Sequence, residues 1–251
     1  MNFSDNFEKI NILGVEIANI SREEAVEIIL KRIDEKKTTT VFTPNSEIIE
    51  NFRKDEELIN LLNSADILTA DGAGVVVGSK ILKTPLKERC AGFDVASSLL
   101  QKGAEKGISF YFFGSKEEVG IKAKENLEKK YPNIKIVGTH SGYFDENEDI
   151  AAIINEHNPD VVFVCLGAPK QEKWIHENKE KLEGKILMGL GGSLDVFAGE
   201  AKRAPNIFIK LNLEWFYRLL KQPSRFIRML ALPRFLISVI KERFKRGNKL
   251  C

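Results

Sequence analysis

The chain has 251 residues, of which 43% are hydrophobic and 29% are charged, and its formal net charge is +2. These values are typical of an ordinary globular protein with one large domain, or with a domain of about 200 residues and an appendage. The sequence contains no run of about 18 uncharged apolar residues, which excludes a helix that spans a membrane.

Short β-branched and aromatic runs alternate with helical patterns along the first four fifths of the chain. A helix is predicted over 46–62, another from a capping box of Ser115 and Glu118 to Lys130, and a third through Trp174. Repeated strand, tight turn and helix predict βαβ units, and therefore an α/β fold with a mostly parallel, Rossmann-like sheet. The predicted strands are 39–43, 66–70, 108–113, 134–137, 161–166 and 186–190.

The segment after Pro205 has a different pattern. Helices are predicted over 206–220, 225–232 and 235–244, with interruptions at Pro223 and Pro233. Residues 207–251 carry eleven Lys and Arg but two acidic residues, a net charge of +9, whereas the rest of the chain carries −7. The sequence therefore predicts an α/β body over 1–205 and a basic amphipathic appendage over 206–251. Such an appendage favours an anionic partner: lipid head groups, nucleic acid or a diphosphate.

Polar and Gly-rich segments stand where the predicted strands end. In a parallel sheet, ligands bind beyond these carboxyl ends, where the N–H groups of helix N-termini are available. Several of these segments are rich in glycine, as a loop that cradles a phosphate requires, and they predict an anionic, nucleotide-like ligand. None matches the P-loop, and no G-x-G-x-x-G follows a strand, so the spacing alone does not specify which nucleotide. The segments are Thr43-Pro44-Asn45, Asp71-Gly72, Gly114-Ser115, Gly167 to Glu172 and Gly191 to Asp195.

These segments together resemble the WecG/TagA/CpsF glycosyltransferases, glycosyltransferase family twenty-six. The resemblance extends to Arg89-Cys90-Ala91-Gly92-Phe93-Asp94, to the run from Gly191 to Gly199, to Lys202-Arg203-Ala204-Pro205 and to Glu214-Trp215-Phe216-Tyr217-Arg218. It covers nearly the whole chain in the same order. Within the family, the segments are most similar to the TagA type, the N-acetylmannosaminyltransferases of wall teichoic acid synthesis.

The resemblance implies substrates and a reaction. The donor would be UDP-N-acetylmannosamine, the acceptor undecaprenyl-diphosphate-linked N-acetylglucosamine, and the product a β-1,4 link formed with inversion. A family relative with an N-acetylmannosaminuronic acid or glucosyl nucleotide, acting in capsule or exopolysaccharide synthesis, is one alternative. A nucleic-acid-binding protein that uses the basic appendage is another, although the site-like loops all lie in the acidic body. A dinucleotide oxidoreductase is a third alternative, but the sequence lacks the glycine fingerprint that such enzymes use to bind the cofactor.

The expected location is the cytoplasm, on the inner face of the cell membrane. Residues 1–10 contain Asp5 and Glu8 and no apolar signal core, so export is not expected. The three cysteines, Cys90, Cys165 and Cys251, are too few and too far apart for a disulfide framework. The apolar side of the appendage is predicted to pack on the body or on another subunit of a homo-oligomer, or to lie in an anionic membrane surface.

Asp71 is the predicted catalytic residue. On its own, an Asp before Gly at a strand end is typical of a turn or an N-cap. The family motif instead implies a general base, the carboxylate that an inverting transfer needs beside the attacking hydroxyl. For Thr43 and Asn45 the two interpretations stay open: both could cap a helix that begins at Pro44, and Asn45 could also orient a sugar.

Further substrate-binding residues are expected around Asp71. Gln171 and Glu172 are predicted to face the crevice and to contact the donor. Asp195 is either the N-cap of a short helix or a donor contact, and Arg89 with Asp94 is either a surface ion pair or part of the active-site rim. The remaining members of the predicted substrate-binding set are Gly114, Ser115, Gly167, Pro169 and Gly192.

No metal or other cofactor is expected. The acidic run 145–149 lacks EF-hand spacing, and His140, His157 and His176 show no paired ligand spacing. Arginines of the appendage would then neutralise the departing diphosphate, since a guanidinium suits a phosphate. The candidates are Arg218, Arg225 and Arg228. Together with Lys221 they are spaced by three, four and three residues, so they would share one face of a continuous helix. The alternative is that they form a basic face exposed to solvent.

Overall fold

A computed structural model describes residues 7–145, 147–210, 213–221 and 226–248. The strands are β1 (Lys9–Ile12), β2 (Val15–Ala18), β3 (Thr39–Phe42), β4 (Ile67–Leu68), β5 (Ser109–Gly114), β6 (Lys135–His140), β7 (Val161–Cys165) and β8 (Ile186–Gly189). The helices are α1 (Arg22–Asp34), α2 (Ser46–Phe52), α3 (Glu56–Asn63), α4 (Ala73–Ile81), α5 (Gly92–Lys106), α6 (Glu117–Lys130), α7 (Ile150–His157), α8 (Lys170–Asn178), α9 (Ser193–Phe197), α10 (Asn206–Lys210), α11 (Glu214–Lys221), α12 (Phe226–Met229) and α13 (Ala231–Asn248).

Six strands form one sheet in the order β4-β3-β8-β7-β5-β6, and every neighbouring pair is parallel. β1 and β2 form a separate antiparallel hairpin. Helices flank the sheet, which confirms the predicted α/β, Rossmann-like class. The predicted strand positions are confirmed to within a few residues at each end.

Both faces of the sheet are covered at its centre, where every residue of β3, β7 and β8 is buried, which explains the apolar runs in β7 and β8. Phe110 and Phe112 of β5 pack into one core with α1, α5 and α6. Tyr111 and Phe113, which alternate with them, pack into a second core on the opposite face. The same alternation in β7 and β8 makes the sheet a rigid platform from which loops project at one edge.

Two predicted helix boundaries are wrong. The pattern over 46–62 splits into α2 and α3, because the carboxylate of Asp55 accepts hydrogen bonds from the N–H groups of Glu57 and Leu58 and starts a new helix. The capping box at Ser115 does not form, since α6 has Lys116 at its N-cap and no side-chain cap. Ser115 instead adopts a left-handed backbone with φ of 59°.

The last helix, α13, packs on the body of the protein. Phe235 and Val239 are fully buried in the same apolar core as Phe42 of β3. A Cβ atom at Gly78 of α4 would lie 2.9 Å from a ring carbon of Phe235, so this glycine permits the close approach of the two helices. Residues 231–248 therefore share a core with the predicted body, while the division of the chain at Pro205 stays a prediction.

Pro233 does not interrupt this helix, contrary to expectation. It is the third residue of α13, where a helix leaves the backbone N–H without an intrahelical acceptor. Pro223 lies outside the described residues. Within the described part of the chain, none of the helices combines the length and the apolarity that crossing a bilayer requires.

Candidate active site

The carboxyl ends of the parallel strands bring the polar segments to one edge of the sheet. The N–H of Asp71, after β4, donates to the carbonyl of Pro44, after β3, at 3.2 Å. The hydroxyl of Thr43 lies 3.4 Å from the carbonyl oxygen of Gly189 at the end of β8. The N–H of Gly191 donates to the side-chain oxygen of Gln171, after β7, at 2.8 Å. The structure therefore connects four of the predicted strand-end segments.

Asp71 follows β4, the outermost strand of the sheet, and so lies at one end of this edge, beside the loop after β3. The residue before it, Ala70, accepts a hydrogen bond from the N–H of Cys90 at 3.0 Å, which holds the loop that carries Arg89 beside it. The N-cap of α4 is Gly72, with φ of 89°, so Asp71 is not the cap of this helix. Asp71 itself is half-buried.

Asn45 is a helix cap. Its side-chain oxygen accepts the N–H of Ile48 at 3.0 Å, and α2 begins at Ser46, the start of the predicted helix 46–62, and not at Pro44. Thr43 lies under the start of α5: a Cβ atom at Gly92 would be 2.6 Å from its hydroxyl oxygen. The two side chains thus pack the loops together, and a contact with a sugar remains a prediction for each.

Gln171 and Glu172 are buried rather than displayed on a helix surface. The amide of Gln171 donates to one carboxylate oxygen of Glu172 at 2.9 Å, while its own oxygen accepts from Gly191. The other oxygen of Glu172 is buried and has no hydrogen-bond partner. Burial raises the pKa of Glu172 above its ordinary value, and the hydrogen bond from Gln171 only partly opposes this effect.

The turns after β5 and β8 approach each other across the edge. Gly114 has φ of 124°, and a Cβ atom there would lie 2.4 Å from the carbonyl oxygen of Cys165, so no other residue fits. The hydroxyl of Ser115 lies 3.5 Å from a carboxylate oxygen of Asp195. The N-cap of α9 is Gly192, so the alternative of Asp195 as the cap is wrong.

Pro169 and Gly167 connect β7 to α8 at the same edge. Pro169 is the N-cap residue of α8 and follows a cis peptide bond. No neighbouring atom lies within 4 Å of the position that a Cβ atom would take at Gly167, so this turn faces open space. Backbone at this position is accessible to a ligand.

A network of ion pairs borders Asp71. Arg89 donates to Asp94 at 3.1 Å and to Glu214 at 3.0 Å, and Arg203 donates to the other oxygen of Asp94 at 2.6 Å. Burial acts to lower the pKa of Arg89, but the carboxylates of Asp71, Glu214 and Asp94 outweigh it and raise the pKa above its ordinary value. Arg89 is therefore a fixed positive charge close to Asp71, and its pairing with Asp94 is confirmed.

The appendage reaches this edge of the sheet. Arg228 of α12 donates to Glu47, in the first turn of α2, at 2.8 Å, and its side chain is exposed. A Cβ atom at Gly74 would lie 2.6 Å from a methyl carbon of Leu232, which places the start of α13 over the start of α4. Arg225 and the side chain of Arg218 lie outside the described residues, so their predicted role stays a prediction.

The described residues contain no group of three or more His, Cys, Asp or Glu side chains that could hold a metal ion. Asp149 of the acidic run caps α7, and the Nε2 atom of His140 lies at hydrogen-bond distance, 3.1 Å, from a carboxylate oxygen of Glu148. Independence from metal stays a prediction. Burial raises the pKa of both Cys90 and Cys165 to about 12, so neither thiol is a nucleophile at neutral pH.

Large apolar side chains are exposed mainly in the appendage. They alternate with cationic residues, and on α13 three of them, Ile237, Ile240 and Phe244, are spaced by three and four residues and share one side of the helix. The exposed members of this apolar set are Ile207, Leu213, Trp215, Phe216, Leu220, Phe226, Ile237, Ile240 and Phe244.

Two residues of the ion-pair network, Arg203 and Glu214, were not among the predicted site residues. Both stand in segments that carry the family resemblance, which is the one signal in the sequence that could have found them. Their partners are 109 and 125 positions away along the chain, a separation that spacing rules do not address.

Known proteins are similar to this one over nearly the whole chain. The model of the glycosyl transferase WecG/TagA/CpsF family matches residues 10–249. The N-acetylglucosaminyldiphosphoundecaprenol N-acetyl-beta-D-mannosaminyltransferase of Bacillus subtilis (strain 168) is 41% identical over 84% of this chain and 82% of its own length. The protein of the same name in Staphylococcus aureus (strain MRSA252) is 38% identical over 96% of this chain and 95% of its own length.

Proposed function

We propose that this chain, which belongs to the WecG/TagA/CpsF family of glycosyltransferases, transfers N-acetylmannosamine from UDP-N-acetylmannosamine to N-acetylglucosaminyl-diphospho-undecaprenol. The product is a β-1,4-linked disaccharide on the lipid diphosphate, an intermediate of teichoic acid or a related cell-wall polymer. The observation that carries this proposal is the likeness to the Staphylococcus aureus relative over 96% of the chain.

Asp71 is proposed as the general base. The acceptor's 4-hydroxyl attacks the anomeric carbon of the donor, its proton passes to the Asp71 carboxylate, and the bond from that carbon to the UDP oxygen breaks in the same displacement. The support is the half-buried position of Asp71 at the meeting point of the strand-end loops. UDP leaves with the electron pair of the broken bond, so the site must stabilise a growing negative charge.

Cations and backbone N–H groups are proposed to stabilise the departing UDP. Arg89 lies closest to this role among the described residues, since it adjoins Asp71. Arg218, Arg225 and Arg228 are the proposed contributions of the appendage. The turns at Gly114-Ser115, at Gly167 and at Gly192-Asp195 are proposed to hold the donor, and Gln171 and Glu172 to position the turn at Gly191 by their buried hydrogen bonds.

The appendage is proposed to hold the enzyme on the inner face of the membrane. The acceptor named for the relatives is a lipid diphosphate, so the site must work near a bilayer surface. Exposed apolar side chains among basic residues are the composition of helices that lie in such an interface. A peripheral location follows from this proposal.

Incubation with a panel of nucleotide sugars tests the proposed donor. We combine the purified chain with a short-chain lipid acceptor and one nucleotide sugar, in parallel reactions with and without EDTA. The sugars are UDP-N-acetylmannosamine, UDP-N-acetylglucosamine, UDP-N-acetylmannosaminuronic acid and UDP-glucose. Mass spectrometry identifies the product. We expect transfer from UDP-N-acetylmannosamine alone, at the same rate with and without EDTA. Transfer from another sugar would assign a different donor, and loss of transfer in EDTA that magnesium or manganese restores would contradict independence from metal.

A further inference from the structure

Glu214 connects the appendage to the edge of the active site. It is the first residue of α11, and its carboxylate accepts from Arg89 at 3.0 Å. Both side chains are largely buried, with 14% of the Arg89 side chain and 16% of the Glu214 side chain exposed. An ion pair at this depth is screened by solvent less than a surface pair, so it can hold two segments together.

Arg89 is itself fixed from the other side. One oxygen of Asp94 binds Arg89 and the other binds Arg203, which also lies over the ring of Phe93 at 4.7 Å. Phe93 stacks on Phe197 of α9 with ring centroids 4.7 Å apart. The guanidinium of Arg89 therefore has a defined orientation before Glu214 reaches it, which limits the rotamer entropy lost when the pair forms.

The other contacts of α11 that the structure describes are mainly with the appendage. Its main packing partners are its neighbours in the appendage, α10 and α12, and Trp215, Phe216 and Leu220 along it are exposed. The aromatic contact of Tyr217 in the described structure is also with a residue of the appendage, Phe208. The ion pair at Glu214 is thus the principal described link between this helix and the site.

We infer that Glu214 is a positioning residue for the transfer reaction: its ion pair with Arg89 docks α11 beside Asp71. The inference rests on the proposed function, because docking matters only if the appendage completes the site. Position 218 follows Glu214 by one helical turn, so the docked helix brings a proposed catalytic arginine position to the edge where Asp71 lies. Breaking the pair frees α11 without removing any group that touches the substrate.

The experiment compares Glu214→Gln with Glu242→Gln. Both changes remove one carboxylate of the appendage, but Glu242 pairs with Arg246 on its own helix, α13. Amide hydrogen exchange over 213–221 reports docking, and transfer to a short-chain acceptor reports the reaction. We expect Glu214→Gln to speed exchange in this segment by about tenfold and to lower kcat by a similar factor, with the KM for the donor nearly unchanged. Glu242→Gln should leave both quantities at wild-type values.

A double-mutant cycle separates docking from general loss of stability. In an Arg89→Gln background, Glu214→Gln should have no further effect on exchange over 213–221, because the partner is already absent. Glu214→Asp should restore part of the protection and part of kcat. Undiminished protection and kcat in Glu214→Gln, or equal effects of this change with and without Arg89, would overturn the inference. A wild-type chain that transfers no sugar would instead contradict the proposed function, while the exchange measurement would still decide whether Glu214 docks α11.

Discussion

Asp71 combines two properties that a general base of an inverting transferase requires. It follows β4 on a short loop that hydrogen bonds tie to the neighbouring loops, and it lies, half-buried, close to the fixed charge of Arg89. A fixed backbone position for Asp71 limits the geometries that its carboxylate can take relative to a bound hydroxyl, which favours the reactive one.

Replacement of Asp71 by Asn should lower kcat by about a hundredfold to ten-thousandfold, because the amide keeps the shape of the side chain but cannot take the proton. Binding of UDP, measured by calorimetry, should change little. Asp34→Asn is the control, since Asp34 is exposed on α1. A rate close to that of the wild type would contradict the role of Asp71 as base.

Glu172 predicts a pH dependence of stability. Its raised pKa means that the folded chain binds the proton more tightly than the unfolded chain, whose carboxyl titrates near 4.5. The stabilisation is complete below that value and is lost as the pH rises through the folded pKa. The free energy of unfolding of the wild type, measured in urea relative to Glu172→Gln, should therefore fall as the pH rises above about 4.5 and through the raised pKa of the folded chain. Parallel pH profiles of the two proteins would contradict a raised pKa for Glu172.

At the residue scale, the sequence could place side chains at strand ends but could not say what they touch. Asp71 was found from its position and the family motif. The cap at Asn45 follows from a local pattern, whereas the burial of Gln171 and Glu172 depends on how α8 rotates over β8, which no local rule specifies. The pairing of Glu214 with Arg89 depends on the tertiary fold in the same way.

Among the elements, α13 has two sides with different roles. Phe235 and Val239 face the core, while Ile237, Ile240 and Phe244 face outward. The amphipathic pattern in the sequence predicted an apolar side but could not distinguish a side that packs on the body from one that meets a membrane. The contact of Phe235 with Gly78 of α4 shows which side packs on the body.

Phe235→Ala should lower the free energy of unfolding by about 3–5 kcal/mol, because it removes a fully buried ring and leaves a cavity between α13 and α4. Ile237→Ala, two positions along the same helix and more than half exposed, should change it by no more than about 0.5 kcal/mol. Chemical denaturation measures both. Equal stability of the two variants would contradict the docking of α13 on the body.

The outward side of α13 should bind membranes. Changing Ile237, Ile240 and Phe244 together to Gln should weaken binding to anionic liposomes by at least about tenfold, since each large apolar side chain contributes about 1.5–3 kcal/mol when buried. Ile121→Gln on α6, which is exposed to a similar degree as Ile240, is the control. Cosedimentation gives the affinities. Unchanged binding in the triple variant would exclude this side of α13 as the membrane contact.

On the scale of the whole molecule, charge and topology act together. The parallel sheet gathers the loops of an acidic body at one edge, and the appendage, whose sequence carries +9, reaches that edge through Arg228 and Leu232. Strand-turn-helix periodicity was sufficient to predict the sheet and the edge at which its strand-end segments meet. It was insufficient for the path of the appendage, because helices joined by prolines can fold back in many ways and only tertiary contacts choose among them.

The central claim is that an acceptor hydroxyl, deprotonated by Asp71, displaces UDP in a single step. The anomeric configuration of the product tests this mechanism most directly. The wild-type chain is supplied with UDP-N-acetylmannosamine and a short-chain lipid carrying diphospho-N-acetylglucosamine, and the disaccharide is examined by NMR. We predict one product, in which N-acetylmannosamine is β-linked to the 4-hydroxyl of N-acetylglucosamine. An α-linked product, which would mean retention of the donor's configuration and so exclude a single back-side displacement, or the absence of any disaccharide would contradict this mechanism.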